Sequence, residues 1–160
     1  NMPDLDAATL YPGIACFEAA NVSVGRGTER PFRWVGAPWM DAAAVVKRLR
    51  AEDIPGVEFT AHRDMPTKSV YEGVPSNGVR LRVTDRDALR PLRVWLHLAV
   101  ALRDLHPKDF AVDAERLPLF VGNKRFVELF QAGAPLSALE PALDDGLAAF
   151  KARRAAFLLY

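Results

Sequence analysis

Three observations predict an α+β fold: one compact domain over 1–160, with a small mixed or antiparallel sheet in its first half and packed helices in its second. Val79, Leu81 and Val83 alternate with Arg80, Arg82 and Thr84, the period of two that marks a half-buried strand. After Pro91, which can open a helix at its first turn, Leu92, Trp95, Leu96, Ala99 and Leu102 share one helical face. Strand-like segments gather in the first half and helical ones in the second, without a repeat or a clear linker between them. A chain of 160 residues can bury roughly two-thirds of the surface its unfolded form exposes, enough for one core.

Taken in order, Pro12 to Phe17 reads as a short buried strand, followed by a loop through residues 21–39, in which Arg33 to Val35 forms a brief extended piece. Asp41 is placed to cap a helix running to about Glu52, with Val45 and Leu49 on one face and Pro55-Gly56 stopping it. Val57 to Ala61 reads as a strand. The stretch 64–78, punctuated by Pro66, Gly73, Pro75 and Gly78, reads as a long loop of the kind that often carries function. Val94, Leu98 and Leu105 widen the apolar face of the helix after Pro91 and make it central to the core. Asn123 is spaced to cap a helix ending at Gly133, with Phe126 and Phe130 one turn apart. Ser137 and Glu140 have capping-box spacing, though Pro141 follows at once, and Leu143, Leu147 and Phe150 extend an amphipathic helix towards Phe157.

Composition excludes several classes. With 21 Lys and Arg against 20 Asp and Glu, the net charge of +1 provides no basic surplus for nucleic acid. No apolar run approaches the roughly 20 residues that cross a bilayer. The single cysteine, Cys16, allows no internal disulfide and reads as a buried inert thiol rather than a nucleophile. His62, His97 and His106 stand apart from any Cys or carboxylate at metal-ligand spacing, so neither a metal nor a cofactor is expected. Gly25-Arg26-Gly27-Thr28 has neither the spacing nor the following helix of a nucleotide loop.

Carboxylates and arginines remain. Glu18 stands between the apolar segment and the loop, where a rigid scaffold presents chemical groups; it reads either as a site carboxylate or as a glutamate paired with a nearby arginine. Asp85 ends the alternating strand, either as a turn-forming side chain or as a functional one. Arg26 and Arg86 carry planar donors that match a carboxylate. Trp34 and Trp39 read as packing aromatics or as surfaces on which a sugar ring stacks.

Tyr11-Pro12-Gly13, Glu18, Asn21, Ser23, Gly25-Arg26-Gly27-Thr28, Pro31-Phe32 and Gly36-Ala37-Pro38-Trp39 together resemble the second half of NamZ-type exo-β-N-acetylmuramidases. The resemblance runs on through Tyr71, Gly73, Gly78-Val79 and Val83-Thr84-Asp85-Arg86 to Phe150 and Leu158-Leu159-Tyr160. Ala19-Ala20 stands where Gly-Thr is expected, Ser76 where a cysteine is usual, and Arg82 in place of an aromatic or imidazole residue. Asn1-Met2-Pro3 also resembles family sequence, which favours a piece of a longer protein over a cloning remnant.

The resemblance implies the C-terminal half of a two-domain enzyme, the absent N-terminal half being Rossmann-like and carrying most of the catalytic machinery. The implied reaction releases N-acetylmuramic acid from the non-reducing end of peptidoglycan fragments, in an exported bacterial protein. This half would close one side of the cleft and be inactive alone. Glu18 would be one of two carboxyl groups flanking the bond, or would hold sugar hydroxyls. Arg26 or Arg86 would pair with the lactyl carboxylate, Asn21 and Thr28 would serve the acetamido group or hydroxyls, and Asp85 would join the binding set. The alternative is a non-catalytic carbohydrate-binding or interdomain scaffold module.

Overall fold

The structure is a computed structural model that describes residues 2–159; Asn1 and Tyr160 lie outside the described residues. Asp4 opens the first helix, α1 (Leu5–Ile14), by accepting the Ala7 amide on Oδ1 at 2.8 Å, which satisfies one of the helix's unpaired N–H groups. A 3-10 turn over Ala15–Ala19 follows. Then come β1 (Trp34–Ala37), α2 (Ala42–Ala51), β2 (Val57–Asp64), β3 (Ser76–Val83) and α3 (Pro91–Leu105). Four shorter helices finish the chain: α4 (Leu117–Val121), α5 (Lys124–Gln131), α6 (Leu136–Leu143) and α7 (Leu147–Ala155).

The sheet is fully antiparallel in the order β1-β3-β2, with Val35 opposite Val79 and Phe59 opposite Leu81. Alternation on β3 therefore sends Val79 and Leu81 inward beside Val35, Val57 and Phe59, while Arg80 and Arg82 share the outer face with Thr60 and Glu58. α2, capped by Asp41 Oδ1 on the Ala44 amide at 3.0 Å, packs across β2 and β3. α3 is buried along both its middle turns, because α1, α2 and α6 surround it; Trp95 meets Phe126 and Phe130 of α5 at ring distances of 5.6 and 6.1 Å. Asn123 caps α5 through the Phe126 amide, as the sequence predicts.

The expected strand over 12–17 is instead the end of α1 and the 3-10 turn. Leu10 and Ile14, four residues apart, and Ala7 face the core against α3, and a short apolar run cannot by its pattern alone be told from a buried helix end. Gly13 is the reason the two helices approach so closely: a Cβ there would lie 1.9 Å from the Pro91 carbonyl oxygen. Cys16 and Glu18 accordingly sit on a helical turn, not at a strand end. The Ser137–Glu140 capping box does not form, since Pro135 takes the cap position and Glu140 turns towards His97. The last amphipathic helix is broken at Gly146, whose φ of +75° ends the run, and α7 buries none of its side chains.

Candidate functional site

The loop between the 3-10 turn and β1 is held by backbone and by its own side chains. Ser23 and Gly36 exchange hydrogen bonds of 2.8 and 3.0 Å, and Phe32 N–H donates to Val24 at 2.8 Å. Between them the chain reverses at Gly25 and Gly27, each with φ of +77°, a conformation glycine enters without a Cβ penalty. Thr28 Oγ1 donates to the Gly25 carbonyl at 2.8 Å and accepts the Arg30 amide at 3.1 Å, so it knits the turn. The long loop after β2 lies against this turn: Thr67 Oγ1 donates to the Gly27 carbonyl at 2.8 Å.

Glu18 and Arg26 come together. Arg26 Nη2 and Nε both reach Glu18 Oε1, at 2.5 and 2.7 Å, and its guanidinium carbon lies 5.0 Å over the Phe32 ring. Arg26 and Thr28 then line an open groove of about 290 Å³ with Met2, Pro3, Glu29 and Lys68. Asn21 sits apart from that wall. Its amide nitrogen donates to the Asp109 carbonyl at 2.7 Å and its oxygen accepts the Ala111 amide at 2.8 Å, which ties the loop to the segment after α3.

Asp85 accepts the amides of Asp87 and Ala88 at 2.9 and 3.1 Å and so forms the turn into α3. Arg86 reaches Asp6 on α1 at 2.6 Å, and Asp6 and Asp4 also hold Arg33 at 3.6 and 2.7 Å. The tryptophans are walls. Trp34 is fully buried over Gly36 and Gly78, with its Nε1 donating to the His62 carbonyl at 3.0 Å. Trp39 donates to the Tyr71 hydroxyl at 2.9 Å and packs on His106 and Phe110.

With that geometry in place, comparison with known proteins decides the family. The profile described as "Exo-beta-N-acetylmuramidase NamZ, C-terminal" matches residues 9–160. The chain belongs to the NamZ C-terminal family. A curated relative, the peptidoglycan beta-N-acetylmuramidase NamZ of Bacillus subtilis (strain 168), is 30% identical over 161 residues, which cover 100% of this chain and 39% of the relative. Two crystal structures of DUF1343 family proteins from Bacteroides fragilis NCTC 9343 share the fold with TM-scores of 0.88 and 0.65. Each is 22% identical and covers 99% of this chain, against 43% and 42% of its own length. The chain thus spans about two-fifths of the length of these relatives.

In this NamZ-family domain a larger cavity, about 570 Å³, lies away from the loop, where the end of α2 meets α3, α6 and α7. His97 is clamped there between Glu52, 2.6 Å from Nδ1, and Glu140, 2.9 Å from Nε2, while Arg93 is held by Asp144 at 2.5 Å. His97, Arg93 and Arg26 all have carboxylate partners, and the groove beside Arg26 is the better candidate despite its smaller size because the Gly25–Thr28 loop lines it together with Lys68. Sequence spacing could not foresee the His97 clamp, because Glu52 and Glu140 lie 45 and 43 residues from it. Among the described residues no group of three or more His, Cys, Asp or Glu side chains is arranged to hold a metal ion, and no helix is long and apolar enough to cross a membrane. Burial pushes the Cys16 thiol up to about 12, so it does not supply a thiolate near neutral pH.

Proposed function

We propose that this domain is the auxiliary, cleft-forming half of an exported glycoside hydrolase that removes N-acetylmuramic acid from the non-reducing end of peptidoglycan fragments. The observation that carries the reading is the Glu18–Arg26 pair beside the open groove lined by Arg26, Thr28 and Lys68, in a chain of the NamZ family. Both guanidinium bonds fall on Oε1 of Glu18, which leaves Oε2 to accept a sugar hydroxyl. Gly25 and Gly27 let the loop take its two left-handed turns, and the missing Cβ at Gly27 makes room for Thr67 and Lys68 of the facing loop. Asn21, Asp85 and Arg86 serve this site by fixing the loop, the turn and α1 around it. The partner half, a Rossmann-like N-terminal region, supplies the remaining carboxyl group, and the chain alone turns over no glycoside.

The second reading is an interdomain scaffold, and one observation favours it: Phe150, Phe157, Leu158 and Leu159 on α7 and its tail are at least half exposed, a surface suited to burial against a second domain. Titration of the labelled chain with N-acetylmuramic acid-terminated fragments separates the two. A substrate-binding domain shifts the amide resonances of Gly25, Gly27 and Thr28 in a saturable way. Resonances that stay still at millimolar fragment, while the chain binds its preceding region tightly, would leave only the scaffold.

A further inference from the structure

His97 lies near the middle of α3 with its side chain 13% exposed, yet both of its ring nitrogens meet carboxylates. Nδ1 is 2.6 Å from Glu52 Oε2, just past the end of α2, and Nε2 is 2.9 Å from Glu140 Oε1 on α6. A neutral imidazole carries one N–H and one bare lone pair, so it donates to one of these acceptors and sets its lone pair against the other. The imidazolium donates to both. The geometry therefore belongs to the charged ring, which ties α2, α3 and α6 together at one point.

The charged groups around the ring make its two sides unequal. Glu52 is 15% exposed, and its Oε1 accepts Arg48 Nε at 2.6 Å, so it stays anchored whatever the ring does. Glu140 is 32% exposed, and its Oε2 has Arg93 at the long distance of 3.7 Å, while Arg93 itself is engaged with Asp144. Asp53, Arg90 and Lys151 complete the charged lining of the cavity beside the ring. α1 also packs on α3, but its Asp6 is turned to Arg33 and Arg86, and α5 meets α3 through Phe126 and Phe130. α6 has little else in reserve. It buries Leu139 and Ala142, takes one bond from Asn123 Nδ2 at the Ala142 carbonyl, and contains Pro141, which supplies no backbone N–H. α7 beyond it buries none of its side chains, and helices of eight and nine residues do not persist in water without packing.

We propose that His97 is a proton-operated latch on the α6–α7 arm. Charged, it holds the arm closed on α2 and α3. Neutral, it keeps Glu52 and lets Glu140 go, which opens the cavity of about 570 Å³ beside it. The closed arrangement holds a proton that the open one does not need, so closure is complete on the acid side and weakens as pH rises. Histidine side chains change charge between about pH 5 and 8, and the opening falls in that range. The latch stands apart from the groove beside Arg26 and operates whether or not that groove takes a sugar.

Amide hydrogen exchange at Leu139 and Ala142 in the full chain, corrected for the intrinsic pH dependence of exchange, reads the opening of α6. Ring nitrogen resonances of His97 read its proton. Both ring nitrogens are expected to carry a proton at about pH 5.5, and the opening constant of α6 to rise about tenfold from there to about pH 8, the worth of one charged hydrogen bond. Glu140→Gln sets opposite Nε2 an amide that either donates to a bare nitrogen or accepts from an N–H, so its α6 should stay equally closed at both pH values. His97→Gln should lose the pH response as well, while His62→Gln, on β2, should keep it. A bare ring nitrogen at about pH 5.5 would overturn the latch, as would an opening constant that ignores pH. A pH response retained in Glu140→Gln would do the same, and that variant decides the matter should His97→Gln fail to fold.

Discussion

The Glu18–Arg26 pair yields a prediction whose size follows from its surroundings. Its side chains are 30% and 24% exposed for Arg26 and Glu18, between the fully solvated pairs worth about 0–1 kcal/mol and charged hydrogen bonds worth about 1.5–3 kcal/mol. Two donors on one oxygen, partly screened, place the coupling at about 1 kcal/mol. Arg26→Gln also loses the guanidinium's position over Phe32, about 0.5–1 kcal/mol more, so it should cost more than Glu18→Gln.

A double-mutant cycle removes that extra amount, because Arg26 is changed on both legs of the comparison. Urea unfolding of the wild type, Glu18→Gln, Arg26→Gln and the double variant, followed by tryptophan fluorescence, measures the coupling directly. A value below about 0.3 kcal/mol would refute the reasoning, since the pair would then be no stronger than an exposed surface contact. In the full-length protein, Glu18→Gln should lower kcat/KM on a muramide by about a hundredfold or more if Glu18 touches the sugar. A purely bracing Glu18 would lower stability and leave turnover nearly unchanged.

Two further perturbations test the packing beneath the site. Gly13→Ala should destabilise by about 3 kcal/mol despite alanine's better helix propensity, worth about 1 kcal/mol, because its Cβ would stand 1.9 Å from the Pro91 oxygen; an unchanged or raised urea midpoint would contradict the α1–α3 contact. Cys16 keeps its proton in the fold up to about pH 12, while the unfolded thiol titrates near 9.0. Its folded pKa is raised, so its contribution is fully present below pH 9 and declines by about 1.4 kcal/mol per pH unit from there towards pH 12. Cys16→Ala should flatten the alkaline limb of the stability curve, and an identical limb in wild type and variant would exclude the effect.

Periodicity was legible where one element meets one face of the core. The β3 alternation, the helix after Pro91 and the caps at Asp41 and Asn123 all appear where the sequence places them, since each depends on neighbours within about four residues. Pro12 to Phe17 was misread because its helical character comes from contact with α3, some eighty residues away, and from a glycine chosen by that contact. The broken final helix has a related cause. Leu147 and Phe150 keep helical spacing, but Gly146 in a left-handed conformation separates α7 from α6.

For the site, the sequence by itself determined the loop, its glycines and the family likeness, because backbone permissiveness and motif spacing are local properties. It also named the groups that face one another as alternatives, Glu18 among them, without being able to choose. Tertiary structure alone decided the partners: Arg26 for Glu18, Asp6 for Arg86, and both Glu52 and Glu140 for His97. The physical reason is that charge pairing depends on distance in space, and the fold brings Glu52 and Glu140 to His97 across gaps in sequence that no local pattern records.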